Sequence, residues 1–264
     1  NVRLIQLDIV AEEIGSNVAA EVALVGDGKA VTHQLNKALN HRQWFYPVET
    51  SWRSQLATKA KENAESIKPM VEDNSVPMNY YRAYKDIQAW LPTNAIIIGE
   101  GANTMDIGRT QMLNSLPRQR LDAGTYGTMG VGLGFTIGAA VVHPDRPIVA
   151  VQGDSAFGFS GMEIETACRY KLPIKIVVLN NGGIGAGLDE LPEETDIPAF
   201  ALTPGARYDK VMESFGGKGI YIEDPAQLRE GLDQALEFEG PALVNIRINP
   251  QAGRKAQEFG WLTT

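Results

Sequence analysis

Residues 148–181 read IVAVQGDSAFGFSGMEIETACRYKLPIKIVVLNN, and this stretch decides the fold. It opens with an apolar run, Ile148 to Val151, which is short enough for a buried parallel strand. Gly153-Asp154-Ser155 ends the run, a helical pattern follows, and a second apolar strand is predicted from Ile174 to Leu179. The second strand leads into Asn180-Asn181-Gly182-Gly183. In a parallel sheet both turns lie at the carboxyl edge, where α/β proteins bind ligands.

The residue types in these two turns indicate a metal-bound diphosphate. Asp154 offers an anionic oxygen and Asn181 a neutral one, and we expect a backbone carbonyl, that of Gly183, to add a third. Mg²⁺ prefers few protein oxygens, with phosphate oxygens and water completing its octahedral shell. Small residues at 153, 155 and 156 (Gly153, Ser155 and Ala156) allow backbone N–H groups to approach phosphates at a helix N-terminus.

Gly-Asp-Ser followed by an Asn pair, with Asn181 27 positions after Asp154, resembles the metal-diphosphate motif of thiamine diphosphate enzymes. The usual third residue of that motif is Gly, and Ser155 is a small variant. Gly26-Asp27-Gly28 matches the opening triplet more literally, but no Asn pair follows it, since positions 52–57 read WRSQLA. We interpret that triplet as an ordinary strand-to-helix turn. The alternative for residues 153–183 is a βαβ crossover without a ligand.

Composition limits the classes of function. The chain has 264 residues, of which 44% are hydrophobic and 21% charged, enough for a large core in one or two domains. A net charge of −8 argues against nucleic acid or an anionic membrane as partner. A single cysteine, Cys168, excludes an internal disulfide or a thiolate metal cluster. Without an apolar run of transmembrane length or a signal peptide, we expect an intracellular, soluble protein, cytoplasmic or peroxisomal.

The alternation of predicted strands and helices indicates an α/β fold with a doubly wound parallel sheet. The resemblance implies that this sheet is the thiamine diphosphate-binding fold. We expect residues 79–264 to form this diphosphate-binding domain. Residues 1–40 are interpreted as the C-terminal remnant of a second, central α/β domain, and residues 41–78 as a linker with a helix, with the boundary near residue 76. The chain begins in mid-pattern without an initiator methionine, so we expect a fragment of a longer protein.

Two more turns are candidates for the site. Gly101-Ala102-Asn103 follows a predicted strand and opens a helix, so it is expected to meet the diphosphate opposite Asp154; the alternative is a helix cap by Asn103. Gly127-Thr128-Met129-Gly130 resembles the segment that receives the aminopyrimidine in these enzymes. The resemblance implies that the Gly127 carbonyl accepts the 4′-amino group and that Met129 holds the cofactor in a bent shape. The alternative for Met129 is a plain core residue.

The resemblance narrows to 2-hydroxyacyl-CoA lyase and its relative oxalyl-CoA decarboxylase over most of residues 79–264. It is carried by EGANTMDIGRT, RLDAGTYGTMGVGLGF, GDSAFGFSGMEIETACRY and NNGGI, and the tail NIRINPQAGRKAQEFGWLTT is more similar to the lyase. The resemblance implies that Ile184 contacts the cofactor and that Arg109 contacts CoA, the alternative being a solvated helix arginine. The chain departs from the family at Gly185, where an aromatic residue is usual, so an aromatic wall over the reacting carbon is expected to be absent.

The implied activity is cleavage of the C1–C2 bond of a 2-hydroxyacyl-CoA to an aldehyde and formyl-CoA, with thiamine diphosphate and Mg²⁺. Oxalyl-CoA decarboxylation and a noncatalytic cofactor-binding subunit remain alternatives, whereas no strand leads directly into the G-x-G-x-x-G turn of a nucleotide-binding module. The family implies a homo-oligomer, a dimer or tetramer, in which a pyrimidine-binding domain supplies a catalytic glutamate. That domain is absent from this sequence, so we expect the chain alone to be inactive. We also expect residues 184–204 to form a mobile lid.

Overall fold

The computed structural model describes residues 2–43, 45–192 and 197–256. The chain forms two compact units, residues 1–60 and 61–264, and helix α2 (Ser51–Val71) runs across the division. The sequence places a domain boundary further along, near residue 76, after this helix. The assignment of residues 1–40, 41–78 and 79–264 to a remnant, a linker and a diphosphate-binding domain stays a prediction.

The first unit contains a two-stranded parallel sheet and a helix. Strand β1 (Ile5–Asp8) pairs with β2 (Val22–Val25), and helix α1 (Gly28–Leu39) follows β2. The Asp27 carboxylate accepts a hydrogen bond of 2.9 Å from the backbone N–H of Ala30 and so caps α1. The Gly26-Asp27-Gly28 triplet is therefore a strand-to-helix turn, as interpreted from the sequence. Among the described residues of this unit no side chain is fully buried.

The second unit is built on a parallel sheet with the strand order β4-β3-β5-β6-β8-β7. Its six strands are β3 (Ile96–Glu100), β4 (Arg120–Asp122), β5 (Ile148–Gly153), β6 (Lys175–Asn180), β7 (Lys218–Ile222) and β8 (Ala242–Arg247). The four interior strands β3, β5, β6 and β8 are almost wholly buried and mostly apolar, as expected for parallel strands covered on both faces.

Helices cover both faces of this sheet. They are α3 (Tyr80–Trp90), α4 (Ala102–Gln111), α5 (Gly132–Val142), α6 (Asp154–Ser160), α7 (Glu163–Arg169), α8 (Tyr208–Ser214) and α9 (Leu228–Glu237). Alternate residues of β5 point into different cores: Val149 and Val151 pack with α3, α4 and α9, whereas Ile148 and Ala150 pack with α5 to α8. This two-sided packing confirms the predicted doubly wound α/β fold.

The local structure differs from the sequence prediction in one place and adds to it in another. The single helical pattern expected after Asp154 is two short helices, α6 and α7, separated at Gly161-Met162. The three-residue edge strand β4 precedes the 127–130 turn and is not predicted from the sequence. A 3-10 turn, Pro225–Gln227, leads into α9.

The strand order fixes where a ligand can enter. The chain passes from β3 to β4 on one side and then to β5 on the other side of β3. Such a reversal opens a crevice at the carboxyl ends of the two strands that flank it. Glu100 ends β3 and Gly153 ends β5, so the turns predicted to bind a ligand begin at this crevice. Among the described helices, none is long and apolar enough to cross a membrane.

Candidate functional site

The turns after β3 and β5 touch through their backbones. Gly101 has φ of +99°, in the left-handed region that favours glycine. A Cβ atom at Gly101 would lie 3.3 Å from the backbone nitrogen of Gly153 and 3.5 Å from the side chain of Ala156. A larger residue at position 101 would therefore crowd Gly153 and Ala156. The same close approach packs the start of α4 against the start of α6.

The carboxylate of Asp154 joins the turns after β5 and β6. Its Oδ2 atom accepts hydrogen bonds from the backbone N–H groups of Gly182, at 2.7 Å, and Gly183, at 3.2 Å. Its Oδ1 atom accepts one from the N–H of Ser155 at 2.8 Å. The sequence prediction that Asp154 and the Asn181–Gly183 turn lie at one edge is therefore confirmed by their contact.

Asp154 is a buried acid without a cationic partner. Only 2% of its surface is exposed. Burial raises the pKa of the carboxyl from 3.8 to about 6, and the backbone N–H donors oppose this rise without cancelling it. Among the described residues no Lys, Arg or His pairs with it. A buried negative charge is unfavourable unless it is paired, so the site has a place for positive charge.

The amides of Asn103 and Asn181 meet at one carbonyl oxygen. The Nδ2 atom of Asn103 donates to the oxygen of Gly185 at 2.8 Å, and that of Asn181 donates to the same oxygen at 3.1 Å. Asn103 lies inside α4, whose N-cap is Gly101, so the alternative that Asn103 caps this helix is wrong. The turn at 101–103 and the turn after β6 are thereby linked across the crevice.

A buried amide network that the sequence analysis did not identify supports the turn after β6. Asn180 accepts a hydrogen bond of 3.2 Å from the N–H of Gly182, and its own amide donates to the carbonyl of Ala206 at 2.9 Å. Asn245 donates to the same carbonyl at 2.9 Å and to Asp209 at 3.3 Å. The signal in the sequence is a polar Asn245 inside the apolar run ALVNIR.

The 127–130 segment lies beside these turns and is anchored at its end. Gly127 is exposed with φ of +62°, and Met129 is half-buried. Met129 belongs to neither hydrophobic core, so the plain-core alternative does not agree with its position. The backbone N–H groups of Gly130 and Val131 both donate to the buried carboxylate of Glu100. Local sequence patterns do not identify this contact, because Glu100 lies 30 and 31 positions before the two residues.

The remaining candidates flank the crevice. Ile184 follows the Asn pair and is 48% exposed, and its N–H donates to the carbonyl of Phe200 at 2.8 Å. Arg109 lies on α4, where its guanidinium contacts Asp122 at 3.0 Å and Asp106 at 3.8 Å. Arg254 also pairs with Asp106. Arg109 is therefore a partly exposed member of an ion-pair cluster, and its contact with CoA stays a prediction.

The segment 184–204 is hydrogen-bonded to its surroundings near both of its ends. The N–H of Leu202 donates to Gly182 at 2.9 Å, which ties down the segment's carboxyl end. At the other end the N–H of Gly187 donates to Pro250 at 2.9 Å, and Gln251 donates to the Gly187 carbonyl at 3.1 Å. The expectation of a mobile lid stays a prediction, and these hydrogen bonds at the two ends must break if the whole segment moves. Its middle part, residues 193–196, lies outside the described residues.

The described residues do not offer a metal site made of charged side chains. No group of three or more His, Cys, Asp or Glu among them is placed to hold a metal ion. A metal at this edge would therefore rely on Asp154 together with amide and backbone oxygens, the donor set that the sequence predicts.

Comparisons with known proteins agree with this geometry. The family model described as thiamine pyrophosphate enzyme, C-terminal TPP binding domain, matches residues 101–246. The 2-hydroxyacyl-CoA lyase 1 of Homo sapiens is 50% identical over 277 residues, which cover 100% of this chain and 48% of that protein. The 2-hydroxyacyl-CoA lyase of Arabidopsis thaliana is 41% identical, over 97% of this chain and 46% of that protein.

The oxalyl-CoA decarboxylase of Escherichia coli K12 is 40% identical, over 96% of this chain and 45% of that protein. The chain thus spans about half the length of the curated relatives that it matches. The family model covers more than half of the chain, including all three turns that meet at the crevice. The chain therefore belongs to the thiamine pyrophosphate enzymes, as a member of their C-terminal TPP-binding domain family.

Proposed function

We propose that this chain is the C-terminal, diphosphate-binding part of a thiamine diphosphate- and Mg²⁺-dependent 2-hydroxyacyl-CoA lyase. The observation that carries the proposal is the buried carboxylate of Asp154, which lacks a cationic partner and is bonded to the turn after the Asn pair. The relative from Homo sapiens, a 2-hydroxyacyl-CoA lyase 1 that is 50% identical, supports the choice of reaction. The complete enzyme cleaves a 2-hydroxyacyl-CoA to an aldehyde and formyl-CoA.

The residues at the crevice fit Mg²⁺ and a diphosphate. Asp154 supplies the negative oxygen, and Asn181 and Gly183 supply a side-chain and a backbone oxygen, neither of which accepts a hydrogen bond from the described residues. One carboxylate with neutral oxygens suits an ion that keeps phosphate oxygens in its shell. We assign the backbone N–H groups of Ser155 and Ala156, at the start of α6, to the phosphates, for which the N–H of Ser155 must give up its hydrogen bond to Asp154 Oδ1.

The chain's own residues orient the reacting parts. The carbonyl of Gly127 would accept a hydrogen bond from the amino group of the pyrimidine, and Met129 would hold the bound cofactor in shape. When bound, thiamine diphosphate supplies the nucleophilic carbon and the electron sink for breaking the C1–C2 bond. Ile184 contributes an exposed apolar surface beside the cofactor. Arg109 is assigned to the CoA end of the substrate, where it must exchange part of its pairing with Asp122 for phosphate.

An exposed apolar face of the second unit supports the proposal that a partner domain covers it. Helix α5 has the sequence GLGFTIGAAVV, without a charged residue. Its side chains Phe135, Val141 and Val142 are 40%, 65% and 69% exposed, and Phe159, at the end of the adjacent α6, is 65% exposed. A helix that is apolar all round is normally buried. We assign this face to the pyrimidine-binding domain of the complete enzyme, supplied within a homo-oligomer.

The experiment uses the full-length protein that contains this chain. Incubation of a 2-hydroxyacyl-CoA with thiamine diphosphate and Mg²⁺ should yield formyl-CoA and an aldehyde, and chelation of the metal should abolish both products. Asp154→Ala should behave like chelation, whereas Asp145→Ala, at an exposed position, should retain activity. If the wild-type enzyme released no aldehyde, the proposed lyase activity would be refuted.

Oxalyl-CoA decarboxylation is the second candidate, because the decarboxylase of Escherichia coli K12 is 40% identical. It predicts release of carbon dioxide from oxalyl-CoA at a higher kcat/KM than any 2-hydroxyacyl-CoA cleavage. Binding of Mg²⁺ and thiamine diphosphate with neither reaction would instead indicate a noncatalytic cofactor-binding subunit.

A further inference from the structure

The carboxylate of Glu100 is buried at the crevice, and the proposed function does not use it. Glu100 is the last residue of β3 and is 0% exposed. Its Oε1 atom accepts hydrogen bonds from the backbone N–H groups of Gly130 and, at 3.0 Å, Val131. Its Oε2 atom accepts one from the N–H of Gly132 at 3.1 Å. A single side chain thus binds three consecutive backbone groups that lie 30 to 32 positions further along the chain.

These bonds replace the local cap that α5 lacks. The first N–H groups of a helix have no partner within the helix and are usually satisfied by a nearby side chain. The N-cap of α5 is Val131, which provides no side-chain hydrogen bond. Glu100 provides the acceptors instead, and its negative charge lies at the positive end of the helix dipole. The position of the α5 N-terminus is therefore tied to the end of β3.

Gln152 and Gly132 also contact the Glu100 carboxylate, and each restricts which residue fits at its position. Gln152 pairs with Glu100 in the register of β3 and β5, and its Nε2 atom donates to Glu100 Oε2 at 2.6 Å. The carboxylate therefore accepts from four N–H donors, so its two oxygens must both act as acceptors. A Cβ atom on Gly132 would overlap both the Gln152 amide and the Glu100 carboxylate. Position 132 consequently requires glycine for this close approach.

The segment between the anchors is the one that meets the pyrimidine. Asp122 accepts a hydrogen bond of 2.9 Å from the N–H of Gly124, which fixes the beginning of the loop at the end of β4. Glu100 fixes its end at Gly130. Gly127 and Met129 lie between these two points. Displacement of the second anchor would move both residues relative to the turns that hold the diphosphate.

We propose that Glu100 is a positioning residue, whose carboxylate holds Gly127 and Met129 at the fixed distance from the diphosphate turns that the pyrimidine end of the cofactor requires. The inference rests on the proposed function, because it takes the 127–130 segment as the pyrimidine contact. Glu100 acts through the backbone of the loop. A merely structural cap would stabilise the whole site and affect both ends of the cofactor alike.

The test compares two ligands of the full-length protein by calorimetry in the presence of Mg²⁺: thiamine diphosphate, and inorganic diphosphate, which lacks the pyrimidine. Glu100→Gln retains the size of the side chain but turns one acceptor into a donor that faces N–H groups. We expect Glu100→Gln to raise the Kd for thiamine diphosphate at least about tenfold. The Kd for inorganic diphosphate should stay within about twofold of the wild-type value. Glu100→Asp, which keeps the charge, should recover part of the loss. Glu237→Gln, on the exposed end of α9, is the matched control.

Hydrogen exchange of the wild-type protein adds a measurement that does not depend on the variants folding. The amides of Gly130, Val131 and Gly132 should exchange much more slowly than those of Gly127 and Thr128, although the free N–H groups of a first helical turn normally exchange fast. Equal exchange rates in the two groups would overturn the proposal. Equal loss of both ligands in Glu100→Gln, or loss of neither, would also overturn it.

Failure of the proposed function gives a different result. If the cofactor assignment fails, the wild-type protein itself would bind neither thiamine diphosphate nor inorganic diphosphate, and the inference would fall with the assignment of the loop. If only the lyase reaction fails, both ligands would still bind and the role of Glu100 would still be tested. Wild-type binding of both ligands together with an unchanged ratio in Glu100→Gln would reject only the role of Glu100.

Discussion

Replacing Asp154 by Asn should stabilise the cofactor-free protein while abolishing cofactor binding. The carboxylate is 2% exposed, and burial raises its pKa from 3.8 to about 6. A shift of that size corresponds to roughly 3 kcal/mol against the folded state at neutral pH. Asn removes this cost, but its amide nitrogen replaces an oxygen that accepts an N–H group. We therefore expect a gain of about 1–2 kcal/mol, below the full value.

The pH dependence has a defined sign. The unfolded carboxyl titrates near 3.8 and the folded one near 6, so the folded state binds more protons between these values. Stability contributed by this group is therefore lost as pH rises from about 4 to about 6, and it stays lost above that range. The advantage of Asp154→Asn should appear across the same window. Mg²⁺ requires the ionised carboxylate, so the stabilisation by cofactor and metal should grow as pH rises through about 6.

Native-state hydrogen exchange on the full-length protein measures the effect where it arises, because unfolding of a multidomain protein is not a single two-state step. The opening free energy of the amides in β5 and β6 is compared in wild type and Asp154→Asn, in chelator and then with Mg²⁺ and thiamine diphosphate. Asp145→Asn, at an exposed position, serves as the control. A variant that is less stable than wild type in chelator at neutral pH, or that still binds the cofactor with unchanged affinity, would refute the reasoning.

Three further substitutions test separate parts of the site. Met129→Ala should reduce turnover more than about tenfold with little loss of melting temperature, because Met129 lies outside both cores; the reverse pattern would make it a packing residue. Gly132→Ala should lower the opening free energy of nearby amides in native-state hydrogen exchange by about 1–3 kcal/mol, since its Cβ overlaps Glu100, and an unchanged opening free energy would contradict the close approach. Asn245→Leu should cost about 1–3 kcal/mol in the same assay, because it leaves Asp209 and a backbone carbonyl with one partner fewer; a neutral effect would exclude a supporting role for the network.

The sequence predicts the strands and the first two turns well for a physical reason. A parallel strand covered on both faces must be apolar throughout, so Ile148 to Val151 is recognisable without knowledge of its neighbours. The turns at Asp154 and Asn181 are recognisable as well, because each breaks an apolar run with polar residues at the carboxyl end of a predicted parallel strand. Edge strand β4 gives no such signal. It has three residues and is partly exposed, so neither periodicity nor hydrophobicity distinguishes it from a turn.

Glu100 shows what local patterns omit. In the sequence it is one acidic residue at a strand end, and its partners lie 30 to 32 positions away. Only the pairing of β3 with β5, and the return of the chain into α5, brings them together. The amide network of Asn180 and Asn245 is hidden for the same reason, since it depends on the pairing of β6 with β8.

Gly185 has a backbone carbonyl that joins the turns, and it lacks the side chain that the family resemblance leads us to expect there. The position of this carbonyl is fixed, since it accepts hydrogen bonds from both Asn103 and Asn181. Its φ of +81° suits glycine, and no atom lies within 4 Å of the position that a Cβ would occupy. Glycine therefore keeps the link between the turns and leaves open space where the family resemblance leads us to expect an aromatic side chain. We predict that the departure at Gly185 alters substrate preference and not the support of the diphosphate site, because that support runs through the Gly185 carbonyl.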